Sequence, residues 1–389
     1  MISRVVILAI LLVFAACGRD PRPDVVLVVL DTVRADHLSL YGYPRPTMPK
    51  LEAFAADAVV YRNAIAPDTW TPPSHASLFT GLAPSDHGVR YARDRPGGGV
   101  YALAGSVPTL AERLSQAGYR TAGFAGNDAY LDPLFGLDRG FARYRHVGLE
   151  RAGKLVPVVS AWLRRRRGRS VFLFLNVMDA HEPYDPPPPY DRLFPGRLDR
   201  PVGRHIGTRV PDADEAAHYV SQYDGELRYV DDGLAEIFAA LRATDRYENA
   251  LIVVTADHGE LLGDGGRWGH GGEPVRALVH VPLIVKYPGG ARRGVEEQPV
   301  SLVDVAPTIL AVLGLPPLAP GQPTLEQRNG TATAEHVELG VLTRASYGAD
   351  GTERIERTAA PAAPHQGTLV FPEGDRRLAE RLRALGYVQ

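Results

Sequence analysis

The chain has 389 residues, 45% of them hydrophobic, and a formal net charge of -2. That length and apolar share allow a sizeable core in one large or two medium domains, and the near-neutral balance lacks the basic face that a nucleic-acid binder needs. The one cysteine, Cys17, excludes disulfides within the chain.

The chain begins MISRVVILAILLVFAAC: a basic Arg4, an apolar run, then small residues before Cys17. This is the architecture of a secretory signal, and the apolar run is short for a membrane span. The ending VFAAC resembles a bacterial lipobox, departing from it at Phe14. The expectation is a signal over 1–16, a lipidated Cys17 and a tether over 17–22. An uncleaved anchor helix is the alternative. In either case the catalytic part works outside the cytoplasm, on a membrane surface of the cell envelope.

From Pro23 the runs RPDVVLVVLD, RTAGFAGND, SVFLFLNVMDAH, ALIVVTADHG and VPLIVKYPGG recur, separated by helical stretches. Continuous apolar runs without alternation predict parallel strands buried on both faces. TLAERLSQAGY carries apolar residues at helical spacing. AAHYVSQYDGELRYVDDGLAEIFAALRATD is the longest predicted helix, with Tyr219, Tyr223, Leu227 and Val230 on one stripe. The fold class is α/β, a doubly wound, mostly parallel sheet over 23–318. In such sheets chemistry gathers at the carboxyl ends of the strands, where Asp31, Asn127, Asp179, His181, Asp257 and His258 fall. After about Pro316 the composition shifts. LPPLAPGQPTLEQRNGTATAE reads as a linker and RTAAPAAPHQG as a loose Ala/Pro-rich stretch. GDRRLAERLRALGYV reads as a closing amphipathic helix. Residues 319–389 are therefore a linker and a short C-terminal subdomain. The run LRRRRGR, 163 to 169, reads as a solvated connection before the next strand, with contact to anionic lipid as the alternative.

The motifs VLDTVRADHLSLYGY, TPPSHASLFTG, GLDRGFARY, DAHEPYDPP, YDGELRYVDDGLAEIFAAL and VVTADHGELLGDGGRWGHG...VPLIVKYPG, taken in this order, resemble the sulfatase family of the alkaline phosphatase superfamily. The resemblance covers roughly Pro23 to Pro316. It implies a catalytic α/β domain followed by a smaller C-terminal subdomain with a short antiparallel sheet and a helix. The short tail predicts a reduced version of it.

A sulfate or phosphate ester is already anionic, so its cleavage needs a cation, a strong nucleophile and help for the leaving oxygen. Asp31, Asp257 and His258 combine carboxylate and imidazole at strand ends, a set that suits a divalent metal. In the resembling family these positions bind a divalent cation. Sulfatases commonly carry two adjacent acids after the first strand, but Thr32 stands at the second position here, which disfavours an oxygen-rich calcium cage. A site of Asp31, Thr71, Asp257 and His258 resembles that of the lipoteichoic acid synthases and related phosphotransferases, which use manganese or zinc. One divalent cation is expected, with manganese, zinc, calcium and magnesium all open.

The family signature places a formylglycine precursor, Cys or Ser, two residues before a Pro and four before an Arg. Those positions are Thr71, Pro73 and His75 here. Threonine cannot become formylglycine, so none is expected. Metal coordination can instead activate the Thr71 hydroxyl. Thr69, Ser74 and Ser77 are neighbouring rivals, and Ser74 reads as a cap or packing hydroxyl. Pro72 and Pro73 suit a first helical turn, whose N-terminus favours an anion. By resemblance, His181 contacts the ester group or leaving oxygen and His270 lines the pocket. His75 replaces the Arg's charge only when protonated. Arg34, Asp36 and His37 read mainly as loop organisers, with support of a second metal by Asp36 as the alternative.

The leading expectation is an envelope hydrolase of sulfate or phosphate esters, acting on an anionic ester with Thr71 as nucleophile. The alternatives are transfer of a phosphoryl or phospho-head group to an envelope lipid or glycan, or a binding lipoprotein that keeps the fold without turnover. Nothing in the sequence fixes the natural substrate or the oligomeric state.

Overall fold

The computed structural model describes residues 22–92, 99–146, 151–165, 168–200, 202, 210–328 and 330–371. The expected signal, Cys17 and nearly all of the tether lie outside them, as does the closing helix. Part of the basic run 163–169 does too.

The strands are β1 Val25–Leu30, β2 Val59–Ile65, β3 Arg90–Tyr91, β4 Val100–Leu103, β5 Arg120–Ala125, β6 Arg143–His146, β7 Val171–Val177, β8 Leu251–Ala256, β9 Leu261–Leu262, β10 Trp268–Gly269, β11 His280–Lys286, β12 Gly294–Glu296, β13 Val300–Ser301, β14 Thr331–Glu338, β15 Val341–Gly348, β16 Glu353–Ala359 and β17 Gln366–Val370. The main sheet has the order β12-β2-β11-β8-β1-β7-β5-β6, with β13 also pairing β2. β11 runs antiparallel to both of its neighbours, and the other pairs are parallel. The sheet is therefore mixed and mostly parallel. All residues of β1, β7 and β8 are buried, because these central strands are covered on both faces. The helices Pro49–Ala55, Ala152–Arg164 and Ala213–Ala243 pack together as one layer, and Thr71–Thr80, Leu110–Gln116 and Val305–Val312 as another.

The long helix spans Ala213–Ala243 and starts at a capping box between Asp212 and Glu215. Tyr219, Tyr223, Leu227 and Val230 are all buried, as the stripe predicts. Leu110–Gln116 starts at a second capping box, Thr109 with Glu112. Among the described residues no helix is long and apolar enough to cross a membrane.

The C-terminal region departs from the expected linker and loose stretch. β14, β15 and β16 form a three-stranded antiparallel sheet, and β17 returns to pair with β4. The linker's last residues become β14, and the Ala/Pro-rich stretch starts in β16 and ends in β17. Ladder pairing overrides local composition here: residues of low strand propensity are held by partners distant in sequence.

Candidate active site

Four strand ends deliver the site. Asp31 follows β1, and its amide donates to the Val177 carbonyl at the end of β7. Asp257 and His258 follow β8, and His181 lies in the loop after β7. The segment after β2 leads into the helix Thr71–Thr80, with Pro72 and Pro73 in its first turn. Gly259 is required next to His258, since a Cβ there would lie 2.1 Å from the Ala277 carbonyl oxygen.

Asp31, Asp257 and His258 each offer a ligand atom, all within 4.8 Å of one another, and all three side chains are fully buried. Asp31 Oδ2 accepts from Asn127 Nδ2 at 3.1 Å and Asn176 Nδ2 at 3.2 Å. Asp257 Oδ1 accepts from the amides of Thr32 at 3.3 Å and His258 at 3.0 Å. The other oxygens, Asp31 Oδ1 and Asp257 Oδ2, are buried without a hydrogen-bond partner. Two orphaned carboxylate oxygens in a buried pocket are costly unless a cation joins them, so this donor set fits a divalent metal. His258 Nδ1 lies 2.9 Å from the Gly259 carbonyl, which can only accept. The proton therefore sits on Nδ1 and leaves Nε2 as a base. Burial holds the ring neutral, its pKa pushed down to about 3.

Thr71 Oγ1 lies 3.3 Å from that Nε2. Its rivals are committed elsewhere. Thr69 Oγ1 donates to the Gly272 carbonyl, Ser74 Oγ donates to the Asp68 carbonyl, and Ser77 Oγ pairs with His87 Nε2. Ser74 is thus a packing hydroxyl, and the helix has Trp70 at its N-cap.

His75 is fully buried. Its Nδ1 donates to the Thr71 carbonyl at 2.9 Å and lies 3.5 Å from Asp257 Oδ2, and its ring stands edge-on to Phe79 and Phe174. The structure places it against Asp257, its Nδ1 turned to that carboxylate and to the Thr71 carbonyl. His181 and His270 meet at 4.9 Å between ring centroids, and His270 meets His258 at 4.7 Å. Nδ1 of His181 donates to the Glu182 carbonyl at 2.6 Å, and Nδ1 of His270 pairs with Glu260 Oε1 at 2.9 Å. Burial pushes His270 down to about 3 and Glu260 up to about 7, the latter against the pull of His181 and His258.

From the sequence alone Asn127 reads only as a strand end, and Glu260 and Asn176 do not read as site residues. Both left a signal: Glu260 closes ADHGE, and Asn176 interrupts the apolar run VFLFLNV. Arg34 organises the loops as expected, bonding to Asp36, Asp264 and the Glu260 carbonyl. The C-terminal sheet reaches the site from outside. His336 Nδ1 lies 3.1 Å from Asp68 Oδ1, the Glu335 amide donates to the Pro67 carbonyl, and Tyr347 Oη donates to the Pro274 carbonyl. These bonds hold the segments leading to Thr71 and away from His270.

The family model for Sulfatase matches residues 23–315. An arylsulfatase of Clostridium perfringens is 22% identical, covering 80% of each chain. The phosphonate monoester hydrolase SpPMH from Silicibacter pomeroyi superposes with a TM-score of 0.70 at 22% identity, covering 94% of both chains. The C-terminal periplasmic domain of EcEptC from Escherichia coli, in complex with zinc, superposes with a TM-score of 0.63 at 20% identity, covering 79% of this chain and 87% of that one. With three quarters of its length matched, a mixed central sheet of the same fold and a carboxylate–imidazole cluster at its carboxyl end, the chain belongs to the sulfatase family and is an enzyme of the ester-hydrolase class.

Proposed function

We propose that this protein is a divalent-metal-dependent hydrolase of sulfate or phosphate esters, working outside the cytoplasm, with Thr71 as nucleophile. The observation that carries the reading is the pair of orphaned buried oxygens, Asp31 Oδ1 and Asp257 Oδ2, in the cluster completed by His258, whose Nε2 faces the Thr71 hydroxyl. Asp31, Asp257 and His258 would hold the cation together with Thr71, and a cation there offsets the ester's charge and lowers the pKa of the hydroxyl. Thr71 Oγ1 would lose its proton to water and attack the central phosphorus or sulfur as the bond to the leaving oxygen breaks. The leaving oxygen departs into the pocket lined by His181 and His270, whose rings are oriented through Nδ1 by the Glu182 carbonyl and by Glu260, and takes its proton from water entering there. Water then cleaves the Thr71 ester and restores the hydroxyl. His75 acts through Asp257 rather than on the substrate. Thr71 cannot yield formylglycine, so the aldehyde-hydrate route is closed.

A further similar structure is the C-terminal periplasmic domain of the phosphoethanolamine transferase EptC from Campylobacter jejuni. That supports a second reading, in which an acceptor alcohol replaces water and the phosphoryl group moves to an envelope lipid or glycan. The lipobox-like VFAAC supports attachment through a lipidated Cys17.

The test compares an aryl sulfate, an aryl phosphate and an aryl phosphodiester with manganese, zinc, calcium and magnesium, each beside Thr71→Ala. Turnover of at least one ester is expected, falling by roughly 10^3-fold or more in the variant with the circular dichroism spectrum unchanged. Full activity in Thr71→Ala would remove it as the nucleophile. Metal retention with silence on all three esters would favour a binding protein.

A further inference from the structure

β16 is the outer strand of the C-terminal sheet, and all seven of its residues, Glu353-Arg354-Ile355-Glu356-Arg357-Thr358-Ala359, are exposed. Among the described residues no strand pairs with its outer side. Its ladder with β15 fixes which backbone groups point outward. The register sets Glu353 opposite Tyr347 and Ala359 opposite Val341. Just beyond the two ends of this ladder, the Gly348 amide donates to the Thr352 carbonyl and the Ala360 amide to the Gly340 carbonyl. Bonded and non-bonded pairs alternate along an antiparallel ladder, so Arg354, Glu356 and Thr358 bond inward. Glu353, Ile355 and Arg357 turn their N–H and C=O groups to the open edge.

The order of charges along that edge is its own antiparallel complement. With Ile355 set against Ile355 of a second copy, Glu353 faces Arg357 of that copy and Arg354 faces its Glu356. The two-fold axis repeats each pair. The outward groups of Glu353, Ile355 and Arg357 then form three bonded pairs, each exchanging two N–H···O bonds. We propose that β16 is a self-association edge, at which a second copy of this chain pairs antiparallel through Ile355 and joins the two C-terminal sheets into one.

Charged side chains on an edge strand usually discourage pairing. Here a strand with a different charge order meets like charges, whereas a second copy meets opposite ones. Arg357 also contacts Glu273 of its own chain and so lies between two carboxylates in the pair. Glu356 lies opposite Arg344, which is bonded to Glu335. The contact is one strand wide, small beside a standard interface, so the dimer is a concentration-dependent equilibrium.

Sedimentation of the full chain in a neutral detergent, over a wide range of concentration, tests this. A monomer–dimer equilibrium is expected. Arg354→Glu sets Glu against Glu356 twice and should weaken it roughly tenfold or more. The double swap Arg354→Glu with Glu356→Arg should restore it. Ile355→Pro removes an outward N–H that its own sheet does not use, so it should abolish the dimer without shifting thermal unfolding. A monomer at every concentration would overturn the proposal. So would a dimer indifferent to Arg354→Glu and Ile355→Pro, or one that the double swap fails to restore.

Discussion

The crevice at the carboxyl end of the central sheet and the antiparallel sheet at the C-terminus treat charge in opposite ways. In the crevice, Asp31, Asp257, His258 and Glu260 are fully buried, and Thr71 is 1% exposed. The polar groups there outnumber their partners, so oxygens of Asp31 and Asp257 are left over. On β14–β16, the buried Glu335 pairs with Arg344, and Arg357 pairs with Glu273 at the surface, so each carboxylate there meets a guanidinium that reaches solvent. A buried acceptor without a partner costs about 1–3 kcal/mol, more when charged, whereas exposed ion pairs contribute little either way. The region carrying unbalanced groups is the one arranged for a ligand. The balanced region supports it.

Removing one of the left-over carboxylates attacks this contrast most directly. Asp257→Asn is expected to weaken divalent-metal binding by roughly 10^2-fold, read by elemental analysis after dialysis; unchanged metal content would take Asp257 out of the ligand set. Glu260→Gln keeps an acceptor for His270 but not the charge, and kcat should fall roughly 10- to 100-fold. Wild-type kcat would reduce Glu260 to a packing residue. His336→Ala breaks the link from the C-terminal sheet to Asp68. If that sheet only supports, unfolding in denaturant should shift by about 1–3 kcal/mol, with kcat kept within roughly tenfold. A loss as deep as that of Glu260→Gln would make the sheet part of the site.

The smallest effect comes from a buried acid that does have partners. Asp179 accepts the Ala152 amide, and burial raises its pKa to about 6 from the ordinary 3.8. The native state thus holds the proton more tightly than the unfolded chain. The resulting stability is complete below about pH 4 and disappears as the pH rises through about 6. Asp179→Asn removes that dependence. Relative to the variant, wild type should lose roughly 1–3 kcal/mol across this window, measured as Tm against pH. Parallel curves would mean that the unfolded chain feels the same environment.

Much of the crevice was legible because its chemistry rides on continuous apolar runs. Asp31, Asp257 and His258 end strands that the sequence marks plainly, and TPPSHASLFTG marks a helix start. Geometry decided what residue type could not. His75 and His181 are both histidines in motifs, yet only contacts place one behind Asp257 and the other beside His270. Glu260 becomes informative only once His270 is seen to lean on it. The C-terminal strands were hidden because Thr, Ala, Glu and Arg alternate there without an apolar run, and their pairing is set by residues elsewhere in the chain.

Thr32, between the strand that ends in Asp31 and the loop beyond it, has a left-handed backbone with φ 59°. A β-branched residue is a true outlier there, and such a conformation costs about 1–3 kcal/mol. Its amide reaches Asp257 Oδ1, its hydroxyl lies 2.8 Å from the Asp31 carbonyl and 2.9 Å from that of Ala180, and its carbonyl accepts from Tyr223. One strained residue thus sets the spacing of the two carboxylates. For protein engineering this makes position 32 a trap. Selection for heat resistance alone would favour glycine or asparagine, which relax the backbone, and would remove the hydroxyl contacts to the Asp31 and Ala180 carbonyls by the same change.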